Sequence, residues 1–200
     1  MAKRLKIGFL ISYFPPFIGG AENNCFYLAR ELAKKHDVHV FTYDKKNKKV
    51  IKPKEEIIDG IHVHRKTVWF RHKYYLAFSP GILYNVLRYD LDILHVHSLG
   101  FIWHDLIVLL KKILTKTIII NTPHGPFMAL SDYSLSENAF KLLISSLERF
   151  VNKIYDGVVA VNPYQIEWME KSGIRRNKVS IIPNGISDEI FNLKKTKTKL

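Results

Sequence analysis

The feature that most constrains the fold is a recurrence of short apolar segments rich in β-branched residues, separated by segments with helical periodicity. The apolar segments do not alternate regularly with polar residues, which is typical of strands buried on both faces of a parallel sheet. They lie at 5–11, 38–43, 92–97, 117–121, 157–161 and 179–182. The pattern predicts an α/β fold: a single doubly wound, Rossmann-like domain with a mostly parallel sheet.

Local signals add detail to this pattern. Apolar residues recur on one face of a helix predicted over 20–35. Asp59-Gly60 lies between short apolar runs and predicts a two-residue type I′ hairpin, whereas residues 44–53 are predicted to form a lysine-rich loop. A capping box at Ser134 predicts a helix that ends near Tyr155, whose apolar stripe includes either Phe150 or Val151.

Composition excludes several classes of protein. The single cysteine, Cys25, excludes a disulfide scaffold and a cysteine-based zinc site, and it is consistent with a reducing, cytoplasmic location. The apolar run at 7–11 follows basic residues as in a signal peptide, but it is short and lacks a small-residue cleavage pattern. It is therefore interpreted as a buried first strand. The sequence contains no stretch of 18 apolar residues, so no transmembrane helix is predicted.

The formal net charge of +13 is concentrated in three places. The segment Asp44–Lys73 has ten basic and four acidic side chains, and both chain ends are also basic. Such a balance favours an anionic partner: a nucleic acid, an anionic membrane or a phosphorylated small molecule. The alternative is that the lysines are simply solvated. No nucleic-acid motif appears, so no nucleic-acid partner is expected.

Aromatic and basic residues interleave over 69–75. Aromatic side chains suit a membrane interface because one end is apolar and the other polar. We therefore expect this basic segment to face an anionic membrane surface or a lipid-linked acceptor. The alternative is that Trp69, Phe70 and Tyr75 pack into the domain.

In a doubly wound domain the functional site lies at the carboxyl ends of the strands. Gly19 and Gly20 follow the first strand at the start of a helix, where backbone N–H groups can bind a phosphate, although a glycine pair can also be a plain turn. His95, His97 and Ser98 follow a later strand, and the two histidines share one face because the strand period is two. They are predicted to line a polar crevice or to pack in the core.

His124 stands between Pro123 and Gly125 after the next strand, where it can touch a ligand or serve the turn. The motifs of dinucleotide binding, P-loop hydrolysis and the serine nucleophile elbow are absent from the sequence. Asp90-Leu91-Asp92 resembles a metal–nucleotide motif, but it precedes its strand and so falls at the wrong edge of the sheet. No metal site is predicted, because the histidines have no carboxylate or cysteine at ligand spacing.

Taken together, a set of motifs resembles the N-terminal, acceptor-side domain of retaining GT-B glycosyltransferases of family 4, also called glycosyl transferases group 1. The resemblance covers nearly the whole chain, in the expected order and spacing. The motifs are Gly19-Gly20-Ala21-Glu22, the Asp59–Val63 hairpin, Asp92–His97, Asn121–Gly125, Asp156–Val161 and Val179–Ile186 followed by Phe191.

The resemblance implies the residue roles. It implies that Gly19 and Gly20 approach the diphosphate of a nucleotide-sugar donor and that His124 is the catalytic residue beside the reaction centre. It implies that Glu22, His97 and Ser98 lie on the acceptor side. The implied reaction is retaining hexosyl transfer from the nucleotide-sugar to a saccharide or lipid-linked acceptor, with no cofactor and no essential metal.

The sequence departs from the family where it ends. We expect a glycosyltransferase domain over 1–186 and a basic tail over 187–200 that begins an interdomain linker. The donor-binding site is then expected on a second domain or subunit, and this chain alone is expected to be inactive or nearly so. It is expected in the cytoplasm, or peripheral at the inner face of the membrane. The alternative function is a non-catalytic module that binds a phosphorylated or lipid-linked ligand.

Overall fold

The computed structural model describes residues 3–46, 49–72, 76–99, 101–124 and 148–185. The helices of these segments are α1 Gly20–Ala33, α2 Pro80–Arg88, α3 Ile102–Leu114 and α4 Ile166–Lys171, and residues 148–151 are also helical. The strands are β1 Lys6–Leu10, β2 Asp37–Tyr43, β3 Lys45–Lys46, β4 Lys49–Val50, β5 Glu55–Ile58, β6 Ile61–Lys66, β7 Phe70–His72, β8 Leu76–Phe78, β9 Ile93–Val96, β10 Ile118–Asn121, β11 Gly157–Ala160 and β12 Val179–Ile181.

Eight strands form one sheet in the order β12-β11-β10-β9-β1-β2-β6-β5. Its neighbouring strands are parallel, apart from the antiparallel pair of β5 and β6. The chain winds outward from β1 toward β6 and then, in the opposite direction, from β9 toward β12. The predicted doubly wound α/β fold is confirmed. The strand order reverses between β1 and β9, and ligands of such sheets bind beyond the carboxyl ends of the strands at that point.

The core is divided between the two faces of the sheet because side chains alternate along each strand. On one face, Phe9 of β1 packs in a cluster with Cys25 and Ala29 of α1. On the other face, Phe41 of β2 belongs to a cluster with buried residues of α2 and α3, among them Ile107. Both faces are covered, which explains why the strands show no polar alternation.

The hairpin predicted at Asp59-Gly60 is confirmed. Asp59 has φ 48° and Gly60 has φ 81°, and a type I′ turn needs positive φ at both positions. The strand after the turn is longer than its apolar run, because β6 continues through His64 and Arg65 to Lys66 and pairs with β2. The region predicted as a lysine-rich loop contains the short antiparallel pair β3 and β4.

The helix predicted from Ser134 lies largely outside the described residues. Helical residues 148–151 are the part of it that is described, and the helix ends four residues before Tyr155. Val151 is buried and Phe150 is 61% exposed, so Val151 is the member of the apolar stripe. Within the described segments, none of the helices has the length and apolar character needed to cross a bilayer.

Candidate functional site

The N-terminus of α1 follows the loop after β1, and its backbone is open at Gly20. Gly19 precedes the helix in an extended conformation, and no side chain caps the first turn by a hydrogen bond. A β-carbon built on Gly20 meets no atom within 4 Å, whereas one built on Gly19 overlaps the Glu22 carboxylate, which folds back over the helix start. Free N–H groups and the helix dipole make such an end attractive to an anion.

His97 and His124 follow the adjacent strands β9 and β10, and their imidazoles are in contact. His97 Nδ1 lies 2.9 Å from His124 Nε2, and the rings stack with centroids 5.2 Å apart. The ring of His95 lies 4.5 Å from that of His97, so the two histidines do share a face. Thr122 Oγ1 lies 2.7 Å from His95 Nε2 and fixes that ring.

Burial keeps these imidazoles neutral near pH 7. It lowers the pKa of His95 to about 4 and the pKa of His124 to about 4, and it lowers the pKa of His97 well below its ordinary value. A neutral imidazole has one donor and one acceptor nitrogen. His97 Nε2 is buried without a hydrogen-bond partner, so a ligand hydroxyl that reached it would satisfy it.

Ser98 is adjacent to His97 but belongs to a different hydrogen-bond chain. Tyr43 donates its hydroxyl to Ala77 O at 3.2 Å and lies 3.1 Å from His104 Nε2. His104 therefore donates through Nε2, and its Nδ1 accepts from Ser98 Oγ at 2.9 Å. Burial, followed by the charge of Arg71, lowers the pKa of His104 to about 3 and keeps this chain neutral.

The guanidinium of Arg71 lies at the end of this chain. Its carbon stands 5.2 Å from the ring centroid of Tyr13 and 5.4 Å from that of Tyr43. Nη1 donates to the Tyr13 hydroxyl, and Nη2 is buried without a hydrogen-bond partner. Sequence reasoning missed Arg71 and His104, although Tyr13 and Tyr43 follow or end predicted strands and could have been listed with the other strand-end residues.

The structure therefore brings the predicted residues to one edge of the sheet but into separate groups. His97 and His124 touch each other, Ser98 bonds to His104, and the Glu22 carboxylate lies against Gly19. Asp92 is at the opposite edge, where it accepts from the backbone N–H of Lys6 at the start of β1. Among the described residues, no three His, Cys, Asp or Glu side chains are arranged to hold a metal ion.

The model of the family described as "Glycosyltransferase Family 4" matches residues 18–190. The chain belongs to this family. The resemblance in the sequence is thus confirmed. No curated protein matches the chain.

Solved structures share the fold of this family 4 domain. One is a sucrose-phosphate synthase from Thermosynechococcus elongatus, with a TM-score of 0.64, 13% identity, and coverage of 90% of this chain and 48% of that chain. Another is Anabaena Alr3699/HepE in complex with UDP-glucose, with a TM-score of 0.64, 14% identity, and coverage of 94% and 46%. A HepE structure with UDP and glucose matches with a TM-score of 0.58 and 14% identity. The chain spans about half the length of these neighbours.

Proposed function

We propose that this domain is the acceptor-binding half of a retaining glycosyltransferase that moves a sugar from a nucleotide-sugar to a saccharide or lipid-linked acceptor. The observation that carries the proposal is the position of the open helix start at Gly20 and of the His97–His124 pair. Both lie at the carboxyl ends of the central strands of a family 4 domain. Support for a nucleotide-sugar donor comes from the HepE structure that contains UDP-glucose.

The start of α1 suits the diphosphate of the donor. The first N–H groups of the helix have no side-chain cap, and no side chain occupies the space over Gly20. When a nucleoside diphosphate leaves the sugar, negative charge develops on its oxygens, and fixed N–H dipoles stabilise such charge. Glu22 would have to turn away from Gly19 to admit the diphosphate, because two anions cannot share this position.

The histidine pair suits the sugar and the acceptor. His124 is the more exposed partner, with a neutral ring, so it can hydrogen-bond a sugar without adding a positive charge. His97 orients His124 through its Nδ1 contact of 2.9 Å. In the transfer, the bond from the anomeric carbon to the diphosphate breaks and a bond to the acceptor oxygen forms. The departing diphosphate oxygen keeps the electron pair of the broken bond, and it can take up the proton that the acceptor hydroxyl loses.

We also propose that transfer needs a donor-binding domain in addition to these residues and that the 200-residue chain alone is inactive or nearly so. The chain aligns with about half of each solved neighbour. The test compares this chain alone with the same chain mixed with, or joined to, the donor-binding domain of a family 4 enzyme. Product is detected by the mass of the acceptor and by release of nucleoside diphosphate from a panel of nucleotide-sugars.

Transfer by the assembled pair, retained anomeric configuration and loss of activity in His124→Ala would support the proposal. The matched control is His62→Ala, which removes an imidazole whose side chain is 43% exposed at the other end of the sheet. Equal losses in both variants, or a turnover near the usual enzyme range of about 1–1,000 per second by the chain alone, would contradict it. Binding of a phosphorylated ligand without any transfer would favour a non-catalytic module.

The exposed aromatic residues favour a site of action at an anionic membrane. Trp69 is 74% exposed and Phe70 is 57% exposed, so both side chains are largely accessible, although the Trp69 ring contacts that of Phe78 edge-on. Tyr75 lies outside the described residues. They follow β6 closely, and Thr67 Oγ1 donates to Asp44 Oδ2 at 2.9 Å. Asp44 immediately precedes β3 and Thr67 lies two residues before Trp69, so this contact joins the start of the lysine-rich segment to the segment that carries the aromatic residues. Each basic residue near an anionic surface contributes about 1 kcal/mol.

Vesicle sedimentation tests this location. The protein should bind vesicles that contain phosphatidylglycerol but not pure phosphatidylcholine vesicles, and binding should fall steeply with salt. The double variant Trp69→Ala with Phe70→Ala should weaken binding, as should Lys45→Glu with Lys49→Glu. Tyr164→Ala is the control, since Tyr164 is 92% exposed after β11, on the other side of the sheet. Equal binding to neutral vesicles would exclude the proposed surface.

A further inference from the structure

Arg71 is a partly buried cation whose Nη2 atom is buried, and no anion contacts its guanidinium among the residues that the structure describes. Its Nη1 donates to the Tyr13 hydroxyl, its face lies against two tyrosine rings, and Nη2 has no hydrogen-bond partner. A buried polar group without a partner destabilises the fold, and it does so more when it is charged. Binding an anion at Nη2 would remove this destabilisation.

The surroundings of Arg71 hold it in place without neutralising it. Tyr43 and His104 belong to the neutral chain that runs from Ser98 to Ala77 O. Burial raises the pKa of the Tyr43 phenol, so this ring is no source of negative charge. The positive charge is therefore not neutralised by these neighbours, and a ligand would reach the buried Nη2 atom after a displacement of the side chains around it.

We propose that Arg71 forms an anion subsite, which binds a phosphate or carboxylate group of the acceptor next to Tyr13 and Tyr43. Only the identification of the anion as part of the acceptor rests on the proposed function. Anion binding by Arg71 does not require that sugar transfer takes place. Arginine suits this task because its planar fork can bind a phosphate or carboxylate through two parallel hydrogen bonds. Arg71 is connected to Ser98, the neighbour of His97, through Tyr43 and His104.

This placement restricts the class of acceptor. A hydroxyl that receives the sugar would lie near His97 and His124, and an anionic group of the same molecule would reach Arg71. A phosphorylated or carboxylated saccharide fits this arrangement, and so does a lipid-linked acceptor whose phosphate adjoins the sugar. The two sources share the same chemistry, a tetrahedral or planar oxyanion on the acceptor.

The test follows the arginine side-chain Nε–H signals of the full chain, labelled with ¹⁵N on arginine, during titration with inorganic phosphate at constant ionic strength. The Arg71 signal, identified by its loss in Arg71→Lys, should shift and saturate. Binding should weaken at least tenfold in Arg71→Gln and less in Arg71→Lys. Arg88→Gln is the matched control, because Arg88 also lies over a tyrosine ring, 6.0 Å from that of Tyr84, but is exposed at the end of α2.

Two further arms distinguish the sources. Glucose 6-phosphate that binds more tightly than inorganic phosphate, with no binding of glucose, indicates a soluble phosphorylated acceptor. Stronger binding to phosphatidic acid vesicles than to phosphatidylglycerol vesicles of equal charge, lost in Arg71→Gln but not in Arg88→Gln, indicates a lipid phosphate. Equal phosphate binding by wild type and a folded Arg71→Gln variant, or an unshifted Arg71 signal, would overturn the inference. Absence of sugar transfer with intact phosphate binding would instead count against the proposed function.

Discussion

Acidification should destabilise the domain through the histidines that it buries without charge, and His95 allows the size of the effect to be worked out. Its ordinary pKa in the unfolded chain is near 6.5, and burial lowers it to about 4 in the folded domain. Below about pH 6.5 the unfolded state binds a proton that the folded state does not, so stability falls as pH falls. At about pH 5, roughly 1.5 units below the unfolded pKa, the loss is about 2 kcal/mol for this side chain.

The assay is equilibrium urea unfolding, followed by circular dichroism at several pH values between about 5 and 7.5, where the His95 contribution develops. Wild type is compared with His95→Gln, which keeps a group able to bond Thr122. The difference in unfolding free energy between the two proteins should change by about 2 kcal/mol over this interval, in favour of the variant at low pH. The comparison matters because other groups also titrate: burial raises the pKa of Glu148 to about 7, which opposes the histidines.

His62→Gln controls for the loss of a half-exposed imidazole. A difference between wild type and His95→Gln that is the same at both ends of the pH interval would refute the reasoning. It would mean that His95 is protonated in the folded domain or reached by water. The same result would also contradict the neutral state of His97 and His124, because burial lowers the pKa of all three imidazoles.

Three further predictions concern single positions. Gly20→Ala should leave the unfolding free energy unchanged or raise it by up to about 1 kcal/mol, since its β-carbon meets nothing, yet it should weaken nucleoside diphosphate binding by the assembled enzyme, as isothermal calorimetry would measure. Glu56→Gln should lower the free energy of unfolding in urea by about 3 kcal/mol, because it removes the carboxylate that pairs with the fully buried Arg65. Arg65 also donates to Pro15 O at 2.6 Å. The double variant Arg65→Met with Glu56→Leu should be more stable than Glu56→Gln. Gly8→Ala should cost about 1–3 kcal/mol, because the new β-carbon would lie 2.6 Å from Leu91 Cδ1, whereas Gly157→Ala, with open space around it, should not.

Much of the fold could be predicted because it follows from local patterns. The buried strands are apolar, and the residue types Asp59-Gly60 are sufficient to predict the conformation of the turn. The extent of β6 could not be predicted in the same way. Its last residues include His64 and Arg65, which look solvent-exposed in a sequence, but Glu55 and Glu56 of the neighbouring strand pair with them. Burial of such charges depends on partners that only the folded sheet brings together.

The candidate site was predictable to the same degree. The strand period of two predicted that His95 and His97 share one face. Gly19, Gly20 and His124 were predicted to lie at the same edge of the sheet because each follows the carboxyl end of a strand. The cluster around Arg71 was not predictable, because β7 has three residues and no clear apolar pattern. Arg71 meets Tyr13 and Tyr43 through a short two-stranded sheet whose position follows from tertiary packing, not from local periodicity.

The contrast between the two groups beside Ser98 has a physical reason. His97 and Ser98 are consecutive, so the pleat turns one toward Phe9 on the α1 face and the other toward His104 on the α3 face. The imidazoles on the first side are neutral because burial lowers their pKa, whereas Arg71 is a cation. Under the two proposals, the neutral imidazoles of His97 and His124 would hydrogen-bond the sugar and the acceptor hydroxyl. The guanidinium of Arg71 would bind the anionic group of the acceptor. Lowering the pH to about 5 should therefore reduce stability through His95, while phosphate binding in the folded fraction should weaken only as far as the phosphate itself gains a proton, with its second pKa of about 6.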